Sequence, residues 1–296
     1  MNSFYNAIHY FLIITAELTL LFLGISTIVA LILMHIPQEK IRAWMSGKGI
    51  WGNFMGAFVG ALTPFCACST IPLTIGFLEA GITFGSIMSF VIASPLLNPI
   101  ILAMLVALMG WQVCAVYFII VFAGAVVFGL IMEKAGWAKL VKKVRIVGEQ
   151  EEKQEIPKAL KSRMKLAFFK AWEDFKAVLI YLLIGVGIGS IIYGYLPQEL
   201  VLRFAGPQNP LAIPIAAIIG IPLYIRVESA IPIGVALLQK GMSMGAVIAL
   251  IIGGAGMAIP EMSMLASIFK IKLVAAIVGV IFLTAVLGGY IFNLIL

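Results

Sequence analysis

Long apolar runs alternate with short polar breaks along this chain, and the runs come in two sets of the same order. In the first set, apolar residues fill about 10–35, an interrupted stretch at 52–80, and two more stretches at 83–108 and 111–132. In the second set the counterparts lie at about 177–195, 211–239, 243–268 and 273–295. A bilayer core is about 30 Å thick and takes about 20 apolar helical residues to cross. The pattern therefore predicts an all-α integral membrane protein. The run at 10–34 has no basic segment before it and is too long for a cleaved leader, so it reads as the first transmembrane helix.

The stretches 52–80 and 211–239 differ from the rest. Each is interrupted near its middle, leaving arms of about 14 residues, or about 21 Å of helix at 1.5 Å per residue. Arms this short predict a re-entrant helical hairpin, because irregular backbone at membrane depth survives only where protein buries it or where it lines a cavity. The stretch 83–108 carries Pro95, Asn98 and Pro99, and 243–268 carries Pro260. Both read as broken transmembrane helices.

One hydrophilic stretch separates the sets. It predicts three regions: a first transmembrane repeat over 1–133, a charged linker over 134–176 and a second transmembrane repeat over 177–296. The repeat is visible residue by residue at a constant offset of 160. Pro37-Gln38-Glu39 falls on Pro197-Gln198-Glu199, Ser69 and Pro72 on Ser229 and Pro232, and Gly81 and Gly85 on Gly241 and Gly245. Apolar residues match by chance, but shared polar and turn residues at one offset indicate duplication.

Composition agrees with the pattern. The 296 residues are 62% hydrophobic and 11% charged, against about 25% charged in soluble domains. The net charge of +7 comes mainly from the linker, so it points to a membrane anchor and not to nucleic acid. Cytoplasmic loops carry the excess of Lys and Arg. The linker, the loop 37–50 (Lys40, Arg42, Lys48) and the segment with Lys270 and Lys272 are therefore expected inside, and 109–110 and 196–210 outside. One topology satisfies all five, with an odd number of crossings per repeat, which makes the two repeats inverted. The implied location is a prokaryotic plasma membrane, with several passes.

Inverted repeats with interrupted helices are transporter architecture, with substrate bound near the midplane. The two hairpin tips are expected to meet there. The first reads Thr63-Pro64-Phe65-Cys66-Ala67-Cys68-Ser69-Thr70, and the second places Arg226, Glu228 and Ser229 opposite Cys66, Cys68 and Ser69. Ser69 and Ser229 are expected to cap the half-helices that follow, with Pro72 and Pro232 in their first turns. The positive helix ends would then favour an anion or a thiolate at the tips. Cys66 and Cys68 suit a soft, thiophilic ligand, or else serve as small apolar residues in a tight turn. Arg226 and Glu228 either pair with each other, or bind substrate and carry a proton. Asn98 and Glu261, at the two breaks, are candidates to line the cavity. Cys114 reads as packing, His9 and His35 as interfacial, and Glu17 as a buried acid without an assigned role. The three cysteines form no disulfide framework, and no metal site or cofactor is expected.

At TPFCACST the chain resembles the predicted permease family that includes the organoarsenical efflux permeases, in which a TPFCSCS-type motif recurs. Thr63, Pro64, Phe65, Cys66, Cys68 and Ser69 match it, and Ala67 stands where serine is common. The two-half plan and the linker extend the resemblance over the whole chain. It implies that Cys66 and Cys68 bind a trivalent organoarsenical for export. The partners expected are the lipid bilayer, a small-molecule substrate and, as an option, a second copy in a homodimer. A sulfur-containing or anionic solute held by Arg226 is the alternative cargo. A channel and a membrane thiol oxidoreductase are further readings. The oxidoreductase lacks a second dithiol and a quinone or haem site.

Overall fold

The computed structural model describes residues 49–63, 67–142, 211–223 and 227–295, with shorter helical runs within 11–45 and 163–184. For Ala67, Cys68, Ser69, Pro72, Pro222, Leu223 and 227–229 it describes the backbone alone. Cys66, Arg226, His9, His35 and Glu17 lie outside the described residues, as does the loop 196–210.

Ten helices are described: α1 Ile50–Leu62, α2 Ala67–Glu79, α3 Phe84–Leu96, α4 Pro99–Met109, α5 Trp111–Lys134, α6 Ala212–Leu223, α7 Val227–Gln239, α8 Met244–Gly256, α9 Ile259–Ile268 and α10 Ile271–Ile295. A short 3-10 helix, Trp137–Leu140, follows α5. Among the described residues there is no strand, only one antiparallel bridge between Val141 and Phe269. Both α5 and α10 are long and apolar enough to cross a membrane. The pairs α3 with α4 and α8 with α9 also qualify if each counts as one span, bent by 42° and 41° at its break.

The elements recur at the sequence offset. The bounds of α2 and α7 correspond residue for residue, as do those of α3 and α8. The turns recur as well. Gly81 and Gly241, both with positive φ, end α2 and α7, where only glycine enters the left-handed region cheaply. Ile82 N–H then donates to the Phe77 carbonyl at 3.1 Å, and Met242 N–H to the Leu237 carbonyl at 3.0 Å. This is the Schellman closure that absorbs orphan helix carbonyls.

Contacts fix the helix directions. In the first half, α1 runs parallel to α3: Asn53 meets Ser89, and further along Gly60 packs on Phe90 and Ala93. Antiparallel to α3 runs α2, with Thr70 beside Ser94 and the Phe77 ring 5.1 Å from that of Phe90. So α1 and α2 run in opposite directions, about 20 Å each by the helical rise. Likewise α6 runs parallel to α8, through Ala217 on Gly253 and Gly220 on Gly254, while α7 returns beside it. Almost every residue of α3 and all of Gly245–Gly256 in α8 are buried. Such all-round apolar helices are the centre of a domain, wrapped by the others.

The halves meet through reciprocal contacts. In the first half α4 packs on α7, and in the second α9 packs on α2. Two residue pairs separated by the offset touch directly. A Cβ on Gly124 would lie 3.1 Å from Thr284 Oγ1, and one on Gly256 would lie 3.2 Å from Leu96 Cδ2. These contacts bring counterpart positions of α5 and α10, and of α3 and α8, side by side. One turn away, Ile120 approaches Gly288, so α5 and α10 are antiparallel. The chain after α5 confirms their direction: Lys142 N–H donates to the Ile268 carbonyl (2.8 Å) and Lys270 N–H to the Leu140 carbonyl (2.9 Å). The end of α5 and the start of α10 therefore share one face of the molecule, here termed the linker face.

Two expectations need correction. Ser69 and Ser229 are the third residues of α2 and α7, which start at Ala67 and Val227, so neither is the N-cap. Accordingly Pro232 lies inside α7. Its missing N–H removes the bond to the Glu228 carbonyl, one turn back. The break after α3 falls at Leu97–Asn98, and Pro95 lies inside the helix. A proline disturbs the turn before it, so the helix continues past Pro95 until the next residues lose their helical angles.

Candidate functional site

Where α3 and α8 stop, carbonyls lose their onward partners and need others. In the first half the gap is closed. Asn98 is the N-cap of α4, its side chain accepting from Ile100 N–H at 3.0 Å. That takes the donor an unbroken helix would offer to the Leu96 carbonyl. The fully buried Tyr117 hydroxyl supplies the replacement, donating to Leu96 O at 2.9 Å. In the second half the substitutes are missing. Ala258 is the N-cap of α9 and makes no side-chain cap. Pro260 has no N–H for the Gly256 carbonyl, and Ile277 occupies the position equivalent to Tyr117.

Ile277 instead borders a small cavity of about 20 Å³ between the halves, room for about one water. Thr70, Val91 and Pro95 line it from the first half, and Gly256 and Glu261 join Ile277 from the second. Gly256 is also one of the residues that meet their counterparts, so the cavity lies beside that contact. Its walls are mostly apolar. Thr70 is buried, shares a hydrogen bond with Ser94 Oγ at 3.3 Å, and takes the Thr74 hydroxyl on its carbonyl at 2.7 Å. The polarity is one-sided: at the offset, Thr70 and Glu261 correspond to Ala230 and Ile101.

The anticipated site residues distribute as follows. Glu261 is the third residue of α9 and lines the cavity. Asn98 caps α4. The backbones of Cys68, Ser69, Glu228 and Ser229 lie in the first turns of α2 and α7, and the side chains are outside the described set. Thr70, one turn into α2, carries the end of the TPFCACST segment to the cavity wall. Cys114 is buried and its Sγ donates to the Leu102 carbonyl at 3.5 Å, joining α5 to α4. Sequence reasoning missed Thr70 and Tyr117. No local pattern marked either: Tyr117 lies in the following helix, and only the fold brings its hydroxyl to the break. Among the described residues no three His, Cys, Asp or Glu side chains gather as metal ligands.

A second polar group lies at the linker face. Asn53 and Ser89 are fully buried. Asn53 Nδ2 donates to the Gly49 carbonyl (2.9 Å) and Glu133 Oε2 (3.2 Å), while Ser89 Oγ donates to Asn53 Oδ1 (3.2 Å). It ties α1, α3 and α5 together. In the second half Asn293 replaces Glu133 and accepts from Gly245 N–H at 2.8 Å.

Apolar spanning helices and a central pair of buried helices, with a small cavity between the two halves of the chain, define a helical membrane protein. The chain belongs to the ArsP_1 family, described as a predicted permease, which matches residues 2–294. It is similar to the UPF0718 protein MJ0584 of Methanocaldococcus jannaschii, at 23% identity over 93% of this chain and 94% of that one. It is also similar to the UPF0718 protein YcgR of Bacillus subtilis, at 23% identity over 88% and 87%. No solved structure matches it.

Proposed function

We propose that this permease is a secondary transporter in a prokaryotic plasma membrane, exporting a thiophilic solute such as a trivalent organoarsenical. The observation that carries the reading is the cavity between the halves, walled by both and reached by the end of the TPFCACST segment. Transporters built from inverted repeats bind substrate at such an interface. The antiparallel packing of the counterpart helices α5 and α10 supports inversion, because two spanning helices related this way need an axis in the membrane plane. The opposed short arms α1 and α2, and α6 and α7, support two re-entrant hairpins. Lys134, Lys139, Lys142, Lys270 and Lys272 gather at the linker face, which supports a cytoplasmic orientation for it.

In this reading Cys66 and Cys68 supply soft thiolate ligands at the start of α2, where the helix dipole favours their anionic form. Ser69 and Thr70 add hydroxyls on the same turn. Arg226, just before α7 in the sequence, and Glu228 and Ser229 in its first turn offer a charged counterpart, and Glu261 faces the cargo across the cavity. Asn98 sets the bend of the opposing break.

Replacing Cys66 and Cys68 together with serine keeps volume and removes the soft ligands. Everted vesicles with the parent should accumulate methylarsonous acid, and the double variant, equally folded, should not. Equal accumulation by both would remove the cysteines from binding. Parent vesicles that accumulate a sulfur oxyanion and not the arsenical would replace this cargo with the anionic one.

A further inference from the structure

We propose that Glu261 is the residue at which a proton couples to transport, an inference that rests on the transporter reading above. Among the residues lining the cavity it is the one carboxylate, and the rest are apolar apart from the Thr70 hydroxyl. It sits just past the α8–α9 break, where the two segments of a bent span meet, and so near mid-depth of that span, with its side chain partly exposed. An ionisable side chain at such depth usually marks a pathway.

Capping alone does not account for it. The equivalent turn of α4 carries Ile101, and that helix is closed by Asn98. The same fold therefore starts this helix without a carboxylate. In α9 the third position also lets a Glu or Gln reach back to the helix start, a cap for which both serve. Beyond Gln, Glu brings a negative charge and the ability to take up and release a proton.

Other titratable groups on the packed elements are few. On α2, Glu79 lies at the far end, and the Cys68 side chain is outside the described set. On α10, Lys272 and Tyr290 lie near opposite ends, and Lys142 sits at the foot of α9, with Nζ on the Ala266 carbonyl at 2.5 Å. In the proposed cycle a proton binds Glu261 when the cavity faces outward and substrate has left. It departs to the cytoplasm when the cavity faces inward, and the empty anionic site then takes new substrate. One proton enters as one solute leaves.

Two measurements test this on the full-length protein. Dicyclohexylcarbodiimide reacts with protonated carboxyl groups in apolar surroundings, and needs no substrate. Mass spectrometry should find Glu261 modified, more at about pH 5 than at about pH 9. An unmodified Glu261 across that range overturns the proposal. In proteoliposomes with methylarsonous acid as probe, parent export should rise with an inward pH gradient, Glu261→Gln should lose that dependence on the gradient whatever its counterflow rate, and Glu261→Asp should keep it. Gradient-driven export by Glu261→Gln as in the parent overturns the coupling role. If the parent itself shows no counterflow, the arsenical reading fails, and the carbodiimide result still decides whether Glu261 is a protonatable site.

Discussion

At the scale of single residues, the helices approach through glycine. A Cβ on Gly245 would fall on the Gly289 carbonyl, and one on Gly85 would lie 2.8 Å from the Gly129 carbonyl and 2.5 Å from Asn53 Oδ1 and Glu133 Oε2. Helix packing inside a bilayer depends on such close backbone contact, since lipid supplies no hydrophobic drive. Gly245→Ala should therefore destabilise the protein by about 1–3 kcal/mol, the usual effect of overpacking. Gly279→Ala, on the same helix system but with open space around it, should be neutral or stabilising by up to about 1 kcal/mol. Unfolding midpoints of the two variants in one detergent separate them, and equal midpoints would contradict the packing. The Gly85–Gly245 correspondence was readable at the offset of 160. Their partners Gly129 and Gly289 also correspond, but that these four meet in pairs depends on how α3 faces α5, which no local pattern carries.

At the scale of elements, the breaks decide what the helices can do. Proline and glycine positions announced interrupted stretches, and the structure has short helices there. The exact break points were not legible: α3 runs past Pro95 because its neighbours hold it helical, and α2 starts two residues before the serine expected to cap it. Asymmetry between the halves was equally hidden. Tyr117 and Ile277 are both ordinary apolar-helix residues in sequence. Only in the fold does the tyrosine hydroxyl reach the Leu96 carbonyl, while Ile277 borders the cavity. Tyr117→Phe leaves that buried carbonyl without its side-chain donor and should cost about 1 kcal/mol, within the range for interhelical hydrogen bonds. Because the bond holds the end of α3 against α5, the variant should also speed amide hydrogen exchange at Ile100 and Ile101. A stability loss with unchanged exchange would place the effect away from the break.

At the scale of the whole molecule, the arrangement of the halves is a geometric claim that cross-linking can read. Cβ positions at 124 and 284 would be 3.8 Å apart, the mean separation in a disulfide. In a background with Cys66, Cys68 and Cys114 replaced by serine or alanine, Gly124→Cys with Thr284→Cys should oxidise readily. Proteolysis in the 134–176 linker would then leave the two halves joined until a reductant is added. That pair alone reports proximity of the counterparts and not direction, because a residue on a two-fold meets its counterpart however the helices run. Direction comes from a second pair. Antiparallel helices put Ile120 beside Gly288, where a built Cβ would be 3.3 Å from Ile120 Cγ2, whereas parallel counterparts would put Ile120 beside Val280. Cysteines at 120 and 288 should therefore link, and cysteines at 120 and 280 should not. The reverse result would make the two repeats parallel. An axis relating them would then stand along the membrane normal, and a cavity opening alternately to the two sides by exchange of equivalent hairpins would lose its basis.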